Sequence, residues 1–294
     1  YYGELDVENL SLVEAKSDTY AGLIFATWAD DAPTLEEYLG DMRWYLDVRY
    51  NHREGGVQVI GPVKWVVPVN WKTPVENASG DNYHAVVSHM SSAIVQHRFK
   101  GARYIPIHER YMQPGRQTSP GNGHGLLATV RPSDDTEVAL GGRRNLRDVK
   151  SREEFAQSII PEVERRIGAF RAHRLQPGNF AVFPNLFLGL RIAHPRGPLR
   201  SEIWTFESFE KDAPEEVKAT EREQALHGAG HPGGLAMQDD MDNWRGVTDS
   251  GSRIAGRGYL HDLSMGLGHE GPTPERPGRV SHVFCSEINQ RSMY

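Results

Sequence analysis

The chain has 294 residues, 38% of them hydrophobic, with a net charge of −6 and one cysteine, Cys285; its pI is near 6.1 and its mean hydropathy −0.56. That balance excludes nucleic acid as the main partner, which calls for a basic stripe, and no apolar run reaches the ~20 residues of a membrane span. A single cysteine excludes an internal disulfide and any multi-cysteine metal cluster, and a free thiol fits the cytoplasm.

The opening "YYGELDVENL" has neither an initiator Met nor a targeting layout, so residues 1–294 read as a single domain cut from a longer protein. "TYAGLIFATW" (19–28) reads as a strand. It leads into a helix whose apolar residues Leu35, Tyr38, Leu39, Met42 and Leu46 recur at helical spacing. "GVQVIGPVKWVVPVNW" (56–71) alternates and predicts a bent strand or hairpin interrupted by prolines. The stretch after Pro74 predicts a helix. Gly, Pro, Ser and charge dominate 113–150, which predicts a loop-rich surface excursion or lid. "SREEFAQSIIPEVERRIGAFRAHR" predicts an amphipathic helix started by a Ser151–Glu154 capping box. Three strands are expected over 178–209, then helices in "APEEVKATEREQALHG", "MQDDMDNWRGVTDS" and the closing "SEINQRSMY". Strands in runs and helices in blocks predict an α+β fold, an antiparallel sheet with helices on one side. "GSRIAGRG" is the nearest approach to a nucleotide-binding loop, but no strand leads into it.

Two histidines in "ENASGDNYHAVVSH" (76–89) are candidate metal donors, His84 and His89. A five-residue step leaves them about 140° apart on an ideal α-helix. Meeting on one ion therefore requires a helix that is not regular. Asp81, three residues before His84, is placed to orient that imidazole. The other reading is a helix that happens to carry two imidazoles. A third donor is offered by Asp239 or Asp240, in a helix with apolar Ala236, Met237, Met241 and Trp244; the other reading of that pair is an exposed acidic helix start. Two histidines and one carboxylate would leave open positions for oxygen chemistry on Fe(II), although zinc hydrolases use the same set.

"NWKTPVENASGDNYHAVVSH" (70–89) resembles the mononuclear iron motif in the large subunit of Rieske-type aromatic-ring-hydroxylating dioxygenases. "YAGLIFATWADDAPTLEEYLG", "HPRGPLRSEIW", "QDDMDNW" and "SEINQRSMY" are similar to further landmarks of that family, in the same order. The resemblance is greatest to the branch acting on polycyclic aromatics. It implies a helix-grip, START-like catalytic domain with His84, His89 and Asp240 as ligands of Fe(II). It gives Asp81 the role of bridge to a Rieske [2Fe-2S] cluster. Asn77 matches an asparagine near the metal, and Ala78, Asn82, Ala85 and Ala236 align with the substrate pocket. Small residues at three of these four would leave room for a multi-ring substrate. The reaction implied is addition of both atoms of O2 to an aromatic hydrocarbon, giving a cis-dihydrodiol. NADH would supply electrons through ferredoxin and reductase partners, and the large subunits would form a homotrimer, with or without a small beta subunit. One cysteine cannot hold a Rieske cluster, so that domain is expected upstream of residue 1.

Other outcomes stay open at this point: monohydroxylation or dealkylation on the same iron, a helix-grip module that binds apolar ligands without chemistry, or a zinc hydrolase. His124, in "GNGHGL", reads as a loop histidine with a possible pocket role, and His194 as a structural residue of a strand.

Overall fold

The computed structural model describes the chain apart from residues 1, 101–105, 107–108, 110–111, 132–148, 229 and 235. The run 19–28 is not one strand. Ala21 and Gly22 both take positive φ (+49° and +80°), and this turn folds β1 (Lys16–Tyr20) back on β2 (Leu23–Thr27). Thr34 then caps α1 (Leu35–Leu39). Its Oγ1 accepts from the Glu37 N–H at 3.3 Å, and Glu37 Oε2 accepts from the Thr34 N–H at 3.0 Å. Gly40, at φ +47°, interrupts the expected helix, and α2 (Met42–Tyr50) starts anew. The apolar stripe survives the break, since Leu39, Met42, Tyr45 and Leu46 are all buried.

Among the described residues, nine strands form one antiparallel sheet: β3 (Val57–Val67), β4 (Gln117–Gly121), β5 (His124–Val130), β6 (Leu175–Val182), β7 (Leu186–Phe187), β8 (Leu190–Pro195), β9 (Ser201–Glu210), β10 (Glu270–Gly271) and β11 (Arg279–Ser281). Their order is β10-β11-β4-β5-β6-β7-β8-β9-β3. β3 is a single bent strand. Its register against β9 slips between Ile60 and Val63, at the Gly61–Pro62 step, so Ile60 and Val63 face the same side and the odd–even alternation reverses across the bulge.

The segment expected to be a loop from 113 onward carries β4 and β5, joined by a turn with Gly121, Asn122 and Gly123 all at positive φ. Its small residues mark close packing rather than a free surface. A Cβ at Gly115 would overlap the Ser281 and Val283 carbonyls, and one at Gly125 would overlap Ser79 and Asn289. The expected lid over 132–148 lies outside the described residues.

Helices α3 (Lys72–Gly80), α4 (Met90–Lys100), α5 (Val149–Ile167), α6 (Glu215–His227), α7 (Met237–Ser252), α8 (Ile254–Arg257) and α9 (Ile288–Met293) complete the fold. α5 is already helical at Val149, so Ser151 lies inside it and the Ser151–Glu154 capping box does not form; Glu154 instead pairs with Lys150 at 3.6 Å. Helices cover both faces of the sheet, not one. Along β6, Phe180 and Val182 pack with α1 and α2, while Ala181 between them joins Val75, Ala78, Met237 and Trp244 of α3 and α7. Fully buried strands read as continuous apolar text, which hides the second covered face. Among the described residues, no helix is long and apolar enough to cross a membrane.

Candidate metal centre

α3 ends at Gly80, whose φ of +151° turns the chain sharply. Beneath it Asn289 of α9 donates its amide to the Ser79 carbonyl at 2.5 Å and the Leu126 carbonyl at 3.3 Å. A short 3-10 turn follows, His84–Val86, and the His84 carbonyl accepts from the Val87 and Ser88 N–H groups at 2.9 and 2.7 Å. α4 starts only at Met90. The five-residue step from His84 to His89 is thus not regular α-helix, as its geometry requires for a shared ion. The two Nε2 atoms lie 3.2 Å apart.

α7 runs beside α3 and brings up the carboxylate. Asp240, in its first turn, is buried at 6% exposure. Its Oδ1 lies 3.3 Å from His84 Nε2 and 3.1 Å from His89 Nε2. Of the adjacent pair, Asp240 faces inward and Asp239 keeps 35% of its side chain exposed. Asp239 is not a bystander: its Oδ2 is 3.3 Å from His89 Nδ1.

Each ring is fixed from behind. A carbonyl can only accept, so His84 Nδ1–H donates to the Asp81 carbonyl at 2.5 Å, with the Asp81 carboxylate 3.5 Å from the same nitrogen. Asn77 donates to that carboxylate at 3.3 Å and accepts from the Trp244 indole N–H at 3.1 Å, which ties α3 to α7. With both Nδ1 atoms facing oxygen acceptors, the neutral rings point Nε2 lone pairs at Asp240 Oδ1. That oxygen is buried and accepts no hydrogen bond among the described residues.

Three converging lone pairs repel one another unless a positive charge sits between them. The separations of 3.1–3.3 Å fit a divalent transition ion. Neighbouring donors on an octahedron with bonds of about 2.1 Å lie about 3.0 Å apart. Electrostatics favour the same occupant. Burial works against charge on His84, but the negative field of Asp240 and Asp81 outweighs it and lifts its pKa to about 10, so the metal-free site draws in a cation, whether a proton or an ion that displaces it. Burial also opposes the Asp240 anion, yet the two histidines hold its carboxyl below the usual range.

Residues 35–264 match the family described as "Ring hydroxylating alpha subunit (catalytic domain)". The chain belongs to that family. It is 33% identical to biphenyl 2,3-dioxygenase subunit alpha of Rhodococcus jostii, over 98% of this chain and 62% of that protein. It is 31% identical to the large oxygenase component of the naphthalene 1,2-dioxygenase system of Pseudomonas aeruginosa, over 100% and 66%. The naphthalene 1,2-dioxygenase of Rhodococcus sp., solved with indole, superposes at a TM-score of 0.75 with 28% identity, over 95% of this chain and 64% of that one. The chain therefore spans a little under two thirds of the length of these relatives.

In this ring-hydroxylating alpha subunit domain, the residues aligned with a substrate pocket fall into two groups. Ala85, beside His84, and Ala236, one turn before Asp240, are half-buried. Ala78 and Asn82 are buried, at 2% and 5% exposure. Ala78 packs against the core around Trp244, and no hydrogen bond to the Asn82 Nδ2 exists among the described residues. Trp244, Asn243 and Asp239 support the ligand loop without having been expected to, and no local pattern signals it, because their partners Asn77, Ser88 and His89 lie 150 or more residues away. His124 is a strand residue, not a loop residue. It is fully buried in β5, where Nδ1 accepts from the Phe183 N–H at 3.1 Å and Nε2–H donates to the Tyr38 carbonyl at 3.0 Å. His194, in β8, stacks on Trp204, consistent with a structural role.

Proposed function

We propose that this chain is the catalytic domain of an aromatic-ring-hydroxylating dioxygenase that adds both atoms of O2 to an aromatic hydrocarbon, giving a cis-dihydrodiol. The observation that carries the reading is the convergence of His84, His89 and Asp240 donor atoms, all within 4.8 Å of one another, in a chain of this family. Iron at these three side chains would supply O2 activation, with ligand positions left over for oxygen. The net change is arene plus O2 plus two electrons and two protons to the diol, the electrons coming from outside this chain.

The chain's own residues do the rest. Asp240 supplies the negative charge that retains the ion, and the Asp81 and Asp239 oxygens keep both Nε2 atoms turned inward. Asp81, with its carboxylate 3.5 Å from His84 Nδ1 and its side chain 20% exposed, is the proposed bridge from an external electron donor to the metal. A Rieske [2Fe-2S] cluster does not fit this chain, because the single cysteine cannot supply its thiolate pair. That cluster, ferredoxin and reductase donors, a homotrimeric assembly and a cytoplasmic site of action are proposals for the whole protein.

The substrate class follows from the pocket residues. Ala85 and Ala236 lie beside and one turn from the metal ligands, and short side chains there leave room for a polycyclic arene. Burial of its faces supplies most of the binding energy, at ~25 cal/mol per Å².

Anaerobic iron titration tests the reading. One Fe(II) per chain is expected for the wild type, and none for His84→Ala or Asp240→Ala. Absence of stoichiometric iron, with ligand affinity indifferent to Asp240→Ala, would point instead to a binding module. Turnover of the whole protein under 18O2 separates dioxygenation, which labels both hydroxyls, from monohydroxylation.

A further inference from the structure

We infer that Asp239 and Asn243, one turn apart on α7, form a clamp that holds the second histidine in place for the metal; this rests on the proposed iron site. The two histidines are not equally supported. His84 is anchored from within its own loop, by the Asp81 carbonyl and carboxylate. His89 is different. Its backbone is tied in by the Val87 and Ser88 N–H bonds to the His84 carbonyl, by Met90 N–H to the Val87 carbonyl at 3.4 Å and by Ala93 N–H to its own carbonyl at 3.1 Å, and Val87 is 67% exposed. These bonds fix the backbone, and none of them reaches His89 Nδ1 to set the direction of the ring.

α7 supplies what the loop lacks. Asp239 Oδ2 takes the His89 Nδ1–H at 3.3 Å, which leaves the Nε2 lone pair for the ion. Asn243 donates its amide to the Ser88 hydroxyl at 2.7 Å and pins the residue just before the ligand. Both side chains lie on one helix stripe, Asp239 just before Asp240 and Asn243 three residues after it. One rigid element thus delivers the third ligand and orients the second. Asp239 and Asn243 are positioning residues: neither offers an atom to the metal in this geometry.

The test is the Fe(II) affinity of the purified chain, read anaerobically by chelator competition, beside the unfolding midpoint of the metal-free protein. Asp239→Ala is expected to weaken Fe(II) binding about 10- to 100-fold. Asp239→Asn, which keeps an acceptor at Nδ1, is expected to recover most of that loss. Ser88→Ala, which removes the partner of Asn243, is expected to weaken binding by about threefold to tenfold. The metal-free midpoint should stay at the wild-type value in all three. Wild-type affinity in Asp239→Ala, in a background where His84→Ala abolishes binding, overturns the clamp and leaves the metal site standing. Equal loss in Asp239→Ala and Asp239→Asn also overturns it, because charge alone and not orientation would then matter. If His84→Ala binds iron normally, the site itself is wrong and the clamp falls with it.

Discussion

At the scale of single residues, the centre depends on which atom does which task. The Asp81 backbone carbonyl, not its carboxylate, takes the His84 Nδ1 proton at the shorter distance. Asp81→Asn should therefore keep the ring oriented and Fe(II) bound, while turnover driven by the electron-transfer partners falls by about tenfold or more. Iron content and single-turnover rates measured together check this, and wild-type turnover would remove the bridging role. His124 offers a second prediction, away from the metal. Burial pushes its pKa down from 6.5 to about 4, against a small opposing effect of the Tyr38 carbonyl. The fold keeps the ring neutral, whereas the unfolded chain protonates it. Its contribution is therefore intact above pH 6.5 and is lost as pH falls toward 4, by about 3 kcal/mol. Urea unfolding at a series of pH values should show a shallower loss of stability over that window in His124→Gln than in the wild type.

At the scale of elements, the turn after α3 and the end of α2 are the points where one substitution reaches furthest. A Cβ at Gly80 would overlap the Asn289 amide at a positive φ of +151°. Gly80→Ala should cost about 2–4 kcal/mol, and adding Asn289→Ala should restore part of it in a double-mutant cycle by urea unfolding. Arg53, at 8% exposure, joins three elements just past α2: its two Nη atoms grip Asp212 at 2.6 and 2.7 Å, Nη1 also reaches Glu210 at 3.1 Å, and Nε reaches Glu162 of α5 at 2.9 Å. Arg53→Ala should lower unfolding stability by about 3 kcal/mol, because it leaves carboxylates facing one another without their cation. These contacts join residues some 110 to 160 positions apart, so no local pattern announces them.

At the scale of the whole molecule, the expectation is division of labour. Purified 1–294 should bind Fe(II) yet fail to sustain turnover with a reductase, since the chain carries one cysteine and no cluster of its own. Continued NADH-coupled product formation by this chain alone would refute that. Pocket volume is a property of several elements at once. Ala85→Phe should lower activity on three-ring arenes by about tenfold or more while sparing smaller ones. Equal activity on both, measured by product formation in the whole protein, would move the pocket elsewhere.

Helical periodicity in 215–227 and 237–252, the helical spacing of apolar residues from Leu35 and the apolar runs of 175–210 already determined most elements, because those signals lie within a few residues of one another. The spacing of His84 and His89 determined that the chain between them could not be regular helix. Resemblance there and in "QDDMDNW" then pointed to Asp240 as the third ligand. Only the tertiary structure decided the rest. The Gly- and Pro-rich stretch 117–130 is buried sheet because small residues there admit another backbone, and the identity of that backbone is not written locally. Helices cover both faces of the sheet because a run such as "NFAVF" is apolar on each side. Asp239, Asn243 and Trp244 act on the ligand loop because α7 packs along α3, through contacts across 150 to 167 residues that no periodicity encodes.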